Sequence, residues 1–307
     1  MTNRTIIPYK EANLSMLDAG VCIEYPRGSE NTRRASFKYY SVPSFLIIGA
    51  AKCGTQELVT WLQQHPNLQA PTEEVNFFND VIDIEQEWGR YVLNPHLLIS
   101  KKRQHVANLG QYTFEKTPGY FWKKNRGVPT SALIKRMMPS GKFIIILRNP
   151  TDRAYSAFQH SKRKSDEHEI WSYKKDVSFE DLIQIEPKVV NPRKNTIRVG
   201  HYAKHLNVWL NYFSREQLMV LTMEDFKKNP FNMMDRIQKF LGIKSFDYRS
   251  LAQQTDRGFW VLNGQPSKAH NKAYQPMLSE TRKLLDDYYA PHNDELKRLF
   301  PELTFPW

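Results

Sequence analysis

A chain of 307 residues, 40% of them hydrophobic and 13% aromatic, is long enough to bury a sizeable core and too apolar to remain disordered. The 44 Lys and Arg against 32 Asp and Glu leave a formal net charge of +12, which favours anionic partners such as nucleotides, sulfated glycans, nucleic acid or membrane surfaces without choosing among them. The longest apolar runs, 45–48 and 143–147, fall far short of the ~20 residues of a membrane span, residues 1–10 lack the apolar core of a secretory signal, and the only two cysteines, Cys22 and Cys53, provide no disulfide framework.

Residues 1–41 are polar and hold no sustained period, which reads as an irregular arm before an ordered domain over 42–307. Residues 44–48 form a short apolar run ending at a glycine, and 55–64 carry Leu58, Val59, Trp61 and Leu62 at helical spacing. That order is strand, phosphate-sized loop and helix, with His65 and Pro66 closing the helix. A second buried strand is expected over 142–147, behind the turn signal Pro139, Ser140 and Gly141. Thr151 or Asp152 is expected to cap the following helix, which runs to about Lys164, and the charged stretch 161–169 reads as a solvated loop or helix end. Further on, Tyr202, Leu206, Trp209, Leu210 and Phe213 make a helical stripe suited to core packing, 218–222 reads as a strand and 233–241 as an amphipathic helix. Strands alternating with helices, without an internal repeat, predict one α/β domain with a central parallel sheet flanked by helices.

The loop Gly49, Ala50, Ala51, Lys52, Cys53, Gly54 and Thr55 nearly meets the nucleotidase pattern GxxxxGK[ST], but its lysine stands two positions before the second glycine. The later strand ends in Arg148, where a nucleotidase would carry a magnesium-binding aspartate. A cation at that place favours a second phosphate and predicts no metal. Together the two features predict a nucleotide with phosphates at both ends, one on the loop and the other on Arg148, with the Ser156 hydroxyl eight positions later in reach of the same phosphate. Taken singly, each segment also fits an ordinary strand-to-helix turn or a surface cation.

These residues resemble the phosphosulfate-dependent sulfotransferases, and within them the heparan sulfate N-sulfotransferase domains and 3-O-sulfotransferases. The resemblance is carried by FLIIGAAKCGT at 45–55, EEVNFF at 73–78, EKTPGYF at 115–121, RNPTDRAYS at 148–156, GHYAKHL at 200–206, GFW at 258–260 and DYYAPHN at 287–293. The first and fourth motifs are common to sulfotransferases at large, whereas the others point to the glycan-modifying branch. The resemblance implies a P-loop-like sulfotransferase fold. It implies 3′-phosphoadenosine 5′-phosphosulfate (PAPS) as donor and the 3′,5′-diphosphate (PAP) as product. Lys52, Cys53, Gly54, Thr55 and Gln56 would hold the 5′-phosphosulfate, Arg148 and Ser156 the 3′-phosphate, and Trp260 would lie near the adenine. The family's late basic loop, with a lysine-glycine-arginine core, corresponds to Ser267, Lys268, Ala269 and His270, so Lys268 and His270 join the donor site, with Lys272 a competing choice. The cysteine pair that staples this loop in many Golgi members is missing.

The resemblance also assigns Glu74 as general base, and Lys52 and Lys116 as the cations beside the sulfuryl group and the leaving phosphate. Glu73 is the adjacent confounder, but neighbouring side chains of an extended segment face opposite ways and only one enters a site. His160 resembles an N-sulfotransferase position and equally fits a helix surface. The expected acceptor is a hydroxyl or amine of a glycosaminoglycan-like carbohydrate, with a small-molecule alcohol or natural product as the alternative. A non-catalytic basic module for glycan or nucleic acid would have no need of Glu74. No nucleic-acid partner and no membrane segment are expected, and the chain reads as a cytoplasmic or otherwise soluble enzyme or as an excised Golgi luminal catalytic domain.

Overall fold

The computed structural model describes residues 6–8, 12–13, 17–27, 36–71, 73–94, 112–167, 177–256, 258–264 and 275–307. In chain order the elements that position the site begin with strands β1 (Ile6–Pro8), β2 (Cys22–Arg27), β3 (Ser36–Ser41) and β4 (Phe45–Gly49). Helix α1 (Thr55–Leu62), strand β5 (Leu68–Gln69), helix α2 (Ile84–Val92), strand β6 (Tyr112–Lys116), helix α3 (Thr130–Met137) and strand β7 (Lys142–Leu147) follow. After them come helix α4 (Pro150–Glu167), helix α5 (Tyr202–Leu210), strand β8 (Leu218–Thr222), helix α6 (Pro230–Leu241), the antiparallel hairpin of β9 (Ala252–Gln254) and β10 (Trp260–Leu262), and helix α7 (Ser279–Leu299).

Five strands form the central sheet in the order β8-β7-β4-β6-β5, and every pairing is parallel. The apolar runs of β4 and β7 are buried along their length, the pattern of strands covered on both faces. On β4, Phe45 stacks on Phe114 of β6 at 4.7 Å. Phe143 of β7 meets Trp209 and Phe213 at 5.0 and 4.4 Å, so the aromatic stripe of α5 is core packing as its spacing predicted. Trp209 also donates its indole N–H to the Phe121 carbonyl at 3.2 Å. Trp61 of α1 is buried against Phe226, Phe231 and Tyr248.

Two local expectations are corrected. The segment read as an irregular arm carries β1, β2 and β3 in a small sheet of its own, parallel then antiparallel. It is fastened to the domain because Leu17, Cys22 and Ile23 are buried and the Val42 N–H reaches the Val21 carbonyl at 3.0 Å. The cap of α4 is Asn149 rather than Thr151 or Asp152: its Oδ1 accepts from both of their N–H groups, at 2.9 and 3.2 Å. Pro150 explains the shift, because its fixed φ suits the first helical position and leaves the cap to the residue before it. Asp152 instead pairs with Arg282 of α7 at 2.7 Å. Of the two readings of the charged stretch, loop or helix end, residues 161–167 take the second and form the end of α4.

Two of the sequence motifs prove to be packing partners of each other. A Cβ on Gly200 would lie 2.8 Å from the Tyr289 ring, Tyr289 donates to the Ile197 carbonyl at 2.8 Å, and His201 Nε2 is 2.9 Å from the Tyr288 hydroxyl. Among the described residues no helix is long and apolar enough to cross a membrane.

The turn out of β4 is equally tight, since a Cβ on Gly49 would stand 2.5 Å from the Cβ of buried Phe121. Overpacking against a main-chain-proximal atom costs about 1–3 kcal/mol. Gly49→Ala is therefore expected to lower the free energy of unfolding by that amount and the denaturant midpoint with it, and an unchanged midpoint in an equilibrium unfolding titration would contradict the packing described.

Candidate active site

Parallel pairing brings the carboxyl ends of β4, β6, β7 and β8 to one edge of the sheet, where open α/β folds bind ligands. From that edge project the 49–55 loop, Lys116, Arg148 and Glu224. The loop turns through positive φ at Lys52 (69°) and Gly54 (88°) before α1 begins. Gly54 is the N-cap and brings no side-chain cap, so the first-turn N–H groups of α1 are available to an anion. A Cβ there would meet Met223 Sδ at 2.4 Å, which adds a steric reason for glycine to the conformational one.

Tyr202 ties this loop to the next strand end. Its hydroxyl donates to the Arg148 carbonyl at 2.8 Å, and Cys53 Sγ lies 3.6 Å from the same oxygen. Cys53 is fully buried, and burial pushes its thiol up to about 11, with Arg153 and Arg148 pulling the other way. The raised value keeps the thiol neutral, and the Cys53 N–H donates to the Ala50 carbonyl at 3.2 Å within the loop. Thr55 is buried and Gln56 exposed at the start of α1. Ser156 lies half-buried on α4, two turns beyond Arg148, and Trp260 is half-buried on β10 with its ring edge-to-face on Phe231 at 4.7 Å. Lys268, His270 and Lys272 lie outside the described residues.

Sequence reasoning missed two charged residues behind this end. Glu224, in the first turn after β8, accepts the Asn149 N–H at 3.1 Å. Burial raises its pKa, while that hydrogen bond and Arg148 lower it. Arg153 is buried, donates to the Thr196 carbonyl and has no carboxylate partner among the described residues. A guanidinium enclosed in this way leaves positive potential beneath the loop. The signal available for both was their position just past strand ends.

At the β6 end, Lys116 Nζ donates to Glu74 Oε1 at 2.7 Å, with the lysine side chain 13% exposed and the glutamate 41%. Of the two adjacent glutamates it is Glu74 that meets the lysine. The turn Pro118–Phe121 follows directly. His160 lies on α4 with Nδ1 3.2 Å from Arg163. Behind Lys116 sits a residue to which the sequence had given no role: Glu115 is fully buried and accepts from Tyr91 and Tyr120 on Oε1, at 2.8 and 3.1 Å, and from Thr117 on Oε2 at 3.2 Å. Beside Glu74, a cleft is lined by Val75, Asn76, Phe77, Arg90, Tyr91 and Asn94. Among the described residues no group of three or more His, Cys, Asp and Glu side chains is arranged to hold a metal ion.

Comparison with known proteins agrees with this geometry. Residues 43–284 match the family model described as "Sulfotransferase domain", and the chain belongs to that family. It is 32% identical over 285 residues to mouse bifunctional heparan sulfate N-deacetylase/N-sulfotransferase 4 and 30% identical over 283 residues to human bifunctional heparan sulfate N-deacetylase/N-sulfotransferase 3. Both matches take in 86% of this chain, which spans only 30% of the length of either relative. Among solved structures, a sulfotransferase from Alicyclobacillus acidocaldarius has the same fold, with a TM-score of 0.57 and 24% identity over 84% of this chain and 95% of that one.

The buried carboxyl of Glu115 has a measurable consequence. Burial pushes it from 4.5 to about 7, against the hydrogen bonds from Tyr91, Tyr120 and Thr117. A folded-state value above the unfolded one means stability that is complete below 4.5 and lost as pH rises through about 7. At 1.36 kcal/mol per unit, the whole window is worth about 3 kcal/mol. Glu115→Gln, neutral throughout, is expected to remove this slope, so that wild type loses more stability than the variant between about pH 4.5 and pH 8. Parallel pH dependences in denaturant titrations of the two proteins would refute the raised value.

Proposed function

We propose that this member of the sulfotransferase family transfers a sulfuryl group from PAPS to a hydroxyl or amine of a glycosaminoglycan-like carbohydrate. The observation that carries the reading is the Glu74–Lys116 pair, 2.7 Å apart, at the same sheet edge as the 49–55 loop and Arg148. A proton acceptor one hydrogen bond from a cation suits a reaction that must strip a proton from a nucleophile and neutralise charge on a leaving phosphate. The relatives' name, N-sulfotransferase, makes a glycan amine the first acceptor to test, and the +12 net charge suits an anionic polymer.

On this reading the 52–56 segment, through the Lys52 side chain and the N–H groups that open α1, holds the 5′-phosphosulfate of the donor, which supplies an activated sulfuryl group. Arg148 and Ser156 hold the 3′-phosphate. Trp260 flanks the adenine, and Lys268 and His270 complete the donor site. Glu74 takes the acceptor proton as the acceptor oxygen or nitrogen bonds to sulfur. Opposite it, the bond from sulfur to the bridging phosphate oxygen breaks, and the electron pair leaves with PAP. Lys116 and Lys52 neutralise the charge that grows on that oxygen, so one sulfuryl group moves and one proton is released. The Tyr202 link between Cys53 and Arg148 supports the donor half, because it joins the segments assigned to the two phosphate ends.

Glu74→Gln is expected to lower kcat by about 10²–10⁴, the usual worth of a general base, while binding of PAP by calorimetry is unaltered. Arg148→Ala is expected to weaken PAP binding by about 10–100-fold through loss of charge-assisted hydrogen bonds. The assay is transfer of labelled sulfate from PAPS to a panel of glycans and small alcohols. Full transfer by the Glu74 variant would remove it as the base, and absence of both transfer and PAP binding in wild type would sink the proposal as a whole.

A further inference from the structure

Glu74 reaches its cation from an irregular segment, and among the described residues Lys116 is the hydrogen-bond partner of its carboxylate. What fixes the carboxylate must therefore act largely through the main chain beside it. Two residues on, the Asn76 N–H donates to Thr117 Oγ1 at 3.3 Å, and Thr117 in turn donates its single hydroxyl hydrogen to Glu115 Oε2 at 3.2 Å. A threonine hydroxyl has one hydrogen and two lone pairs. Committing the hydrogen to Glu115 turns a lone pair to the Asn76 amide. Glu115 is itself immobilised by Tyr91 of α2 and Tyr120, which both donate to Oε1. Asn76 stands at φ 56, a sparsely populated conformation for a residue other than glycine, and needs such a restraint to persist. Its side chain adds two more ties, accepting from Asn79 at 3.0 Å and donating to the Glu74 carbonyl at 3.4 Å.

We propose that Thr117 and Glu115 are positioning residues for the reaction, forming a hydrogen-bonded tether from the buried end of β6 to the Asn76 amide that holds Glu74 against Lys116. The inference rests on Glu74 being the base, and the tether can be judged without that assumption. Both tether residues are fully buried. One strand supplies both the cation and the anchor of the tether, since β6 presents Lys116 to the site and Glu115 to the interior, as alternation along a strand requires. A shift of the 74–76 segment would then move the base relative to a cation fixed on the same frame.

Thr117→Val removes the hydroxyl and keeps the shape, and Thr117→Ser restores it. The Asn76 amide is expected to exchange at least about tenfold faster with solvent deuterium in Thr117→Val, and faster also in Glu115→Gln, since an amide released from its acceptor opens more often. kcat is expected to fall about tenfold or more, with the KM for PAPS and the affinity for PAP within about twofold of wild type, as misplacement of a reacting group predicts. Thr117→Ser is expected to recover both exchange and kcat. Unchanged Asn76 exchange in Thr117→Val overturns the tether, and faster exchange with an unchanged kcat overturns its role in positioning. Should wild type transfer no sulfuryl group at all, the proposed function fails, while the exchange measurement still decides whether the tether exists.

Discussion

Strand β4 has a parallel neighbour on each side, β7 and β6, in registers that pair Ile47 with both Ile144 and Lys116. Three chain segments therefore leave the sheet side by side and in the same direction. The segment after β4 carries the phosphate loop, that after β7 begins with Arg148, and β6 ends in Lys116 with Thr117 behind it. None of these positions needs a long-range side-chain contact to bring it to the site, because the backbone ladder has already done so. The tight passage of Gly49 against Phe121 follows from the same pairing, as Phe121 comes from the segment that leaves β6, whereas Met223, which crowds Gly54, comes from the end of β8, one strand beyond β7. The site is in this sense a property of the sheet's order and direction, with helices serving to bury its faces and to present one open N-terminus.

The two halves of the site are stabilised by different means. The half proposed to bind the donor consists of backbone N–H groups, a helix end and a buried guanidinium. Arg153, enclosed with only neutral partners among the described residues, is costly to the fold alone. An anion near the loop would offset part of that cost, which is the direction in which a binding site for a polyanionic nucleotide should be biased. The base half depends instead on side chains from segments that lack regular structure. Glu115 lends it rigidity, again at a cost: a carboxyl placed in the interior and surrounded by three hydroxyl donors. Buried polar groups so fully partnered define one arrangement sharply, since any other leaves some of them unsatisfied.

The sequence made part of this visible. The loop and Arg148 could be read because apolar runs announce β4 and β7, and a displaced lysine and a cation are conspicuous against the nucleotidase pattern. Strand β6 escaped notice as a strand for a physical reason: Tyr112–Lys116 has polar residues at three of its five positions, and one of them, Glu115, lies deep in the core. A window that looks for apolar runs passes over it. The motif 115–121 was nevertheless noticed through resemblance, which supplied Lys116 and left Glu115 without a role. The first 41 residues were misjudged because short strands there alternate poorly, and their attachment rests on scattered ties such as buried Leu17, Cys22 and Ile23 and the Ser140 hydroxyl donating to Asp18. The cap of α4 went to Asn149 because Pro150 occupies the first helical position, a rule available in the sequence but outweighed by the more familiar threonine and aspartate.

Glu115 draws these threads together. A half-buried strand ordinarily alternates, and at the last two positions of β6 the alternation places a lysine toward the cleft and a glutamate toward the interior, where an apolar side chain would have been less costly. The glutamate is tolerated because Tyr91, Tyr120 and Thr117 converge on it, and those three residues come from α2 and from the turn that follows β6. Removing the carboxylate in favour of leucine would orphan three buried hydroxyls, so the four residues are retained or lost as a group. Thr117 also accepts the Asn76 N–H of the 74–76 segment. A polar cluster in the core thereby becomes continuous with the base, and the interior of the sheet sets the geometry of a carboxylate that is itself 41% exposed.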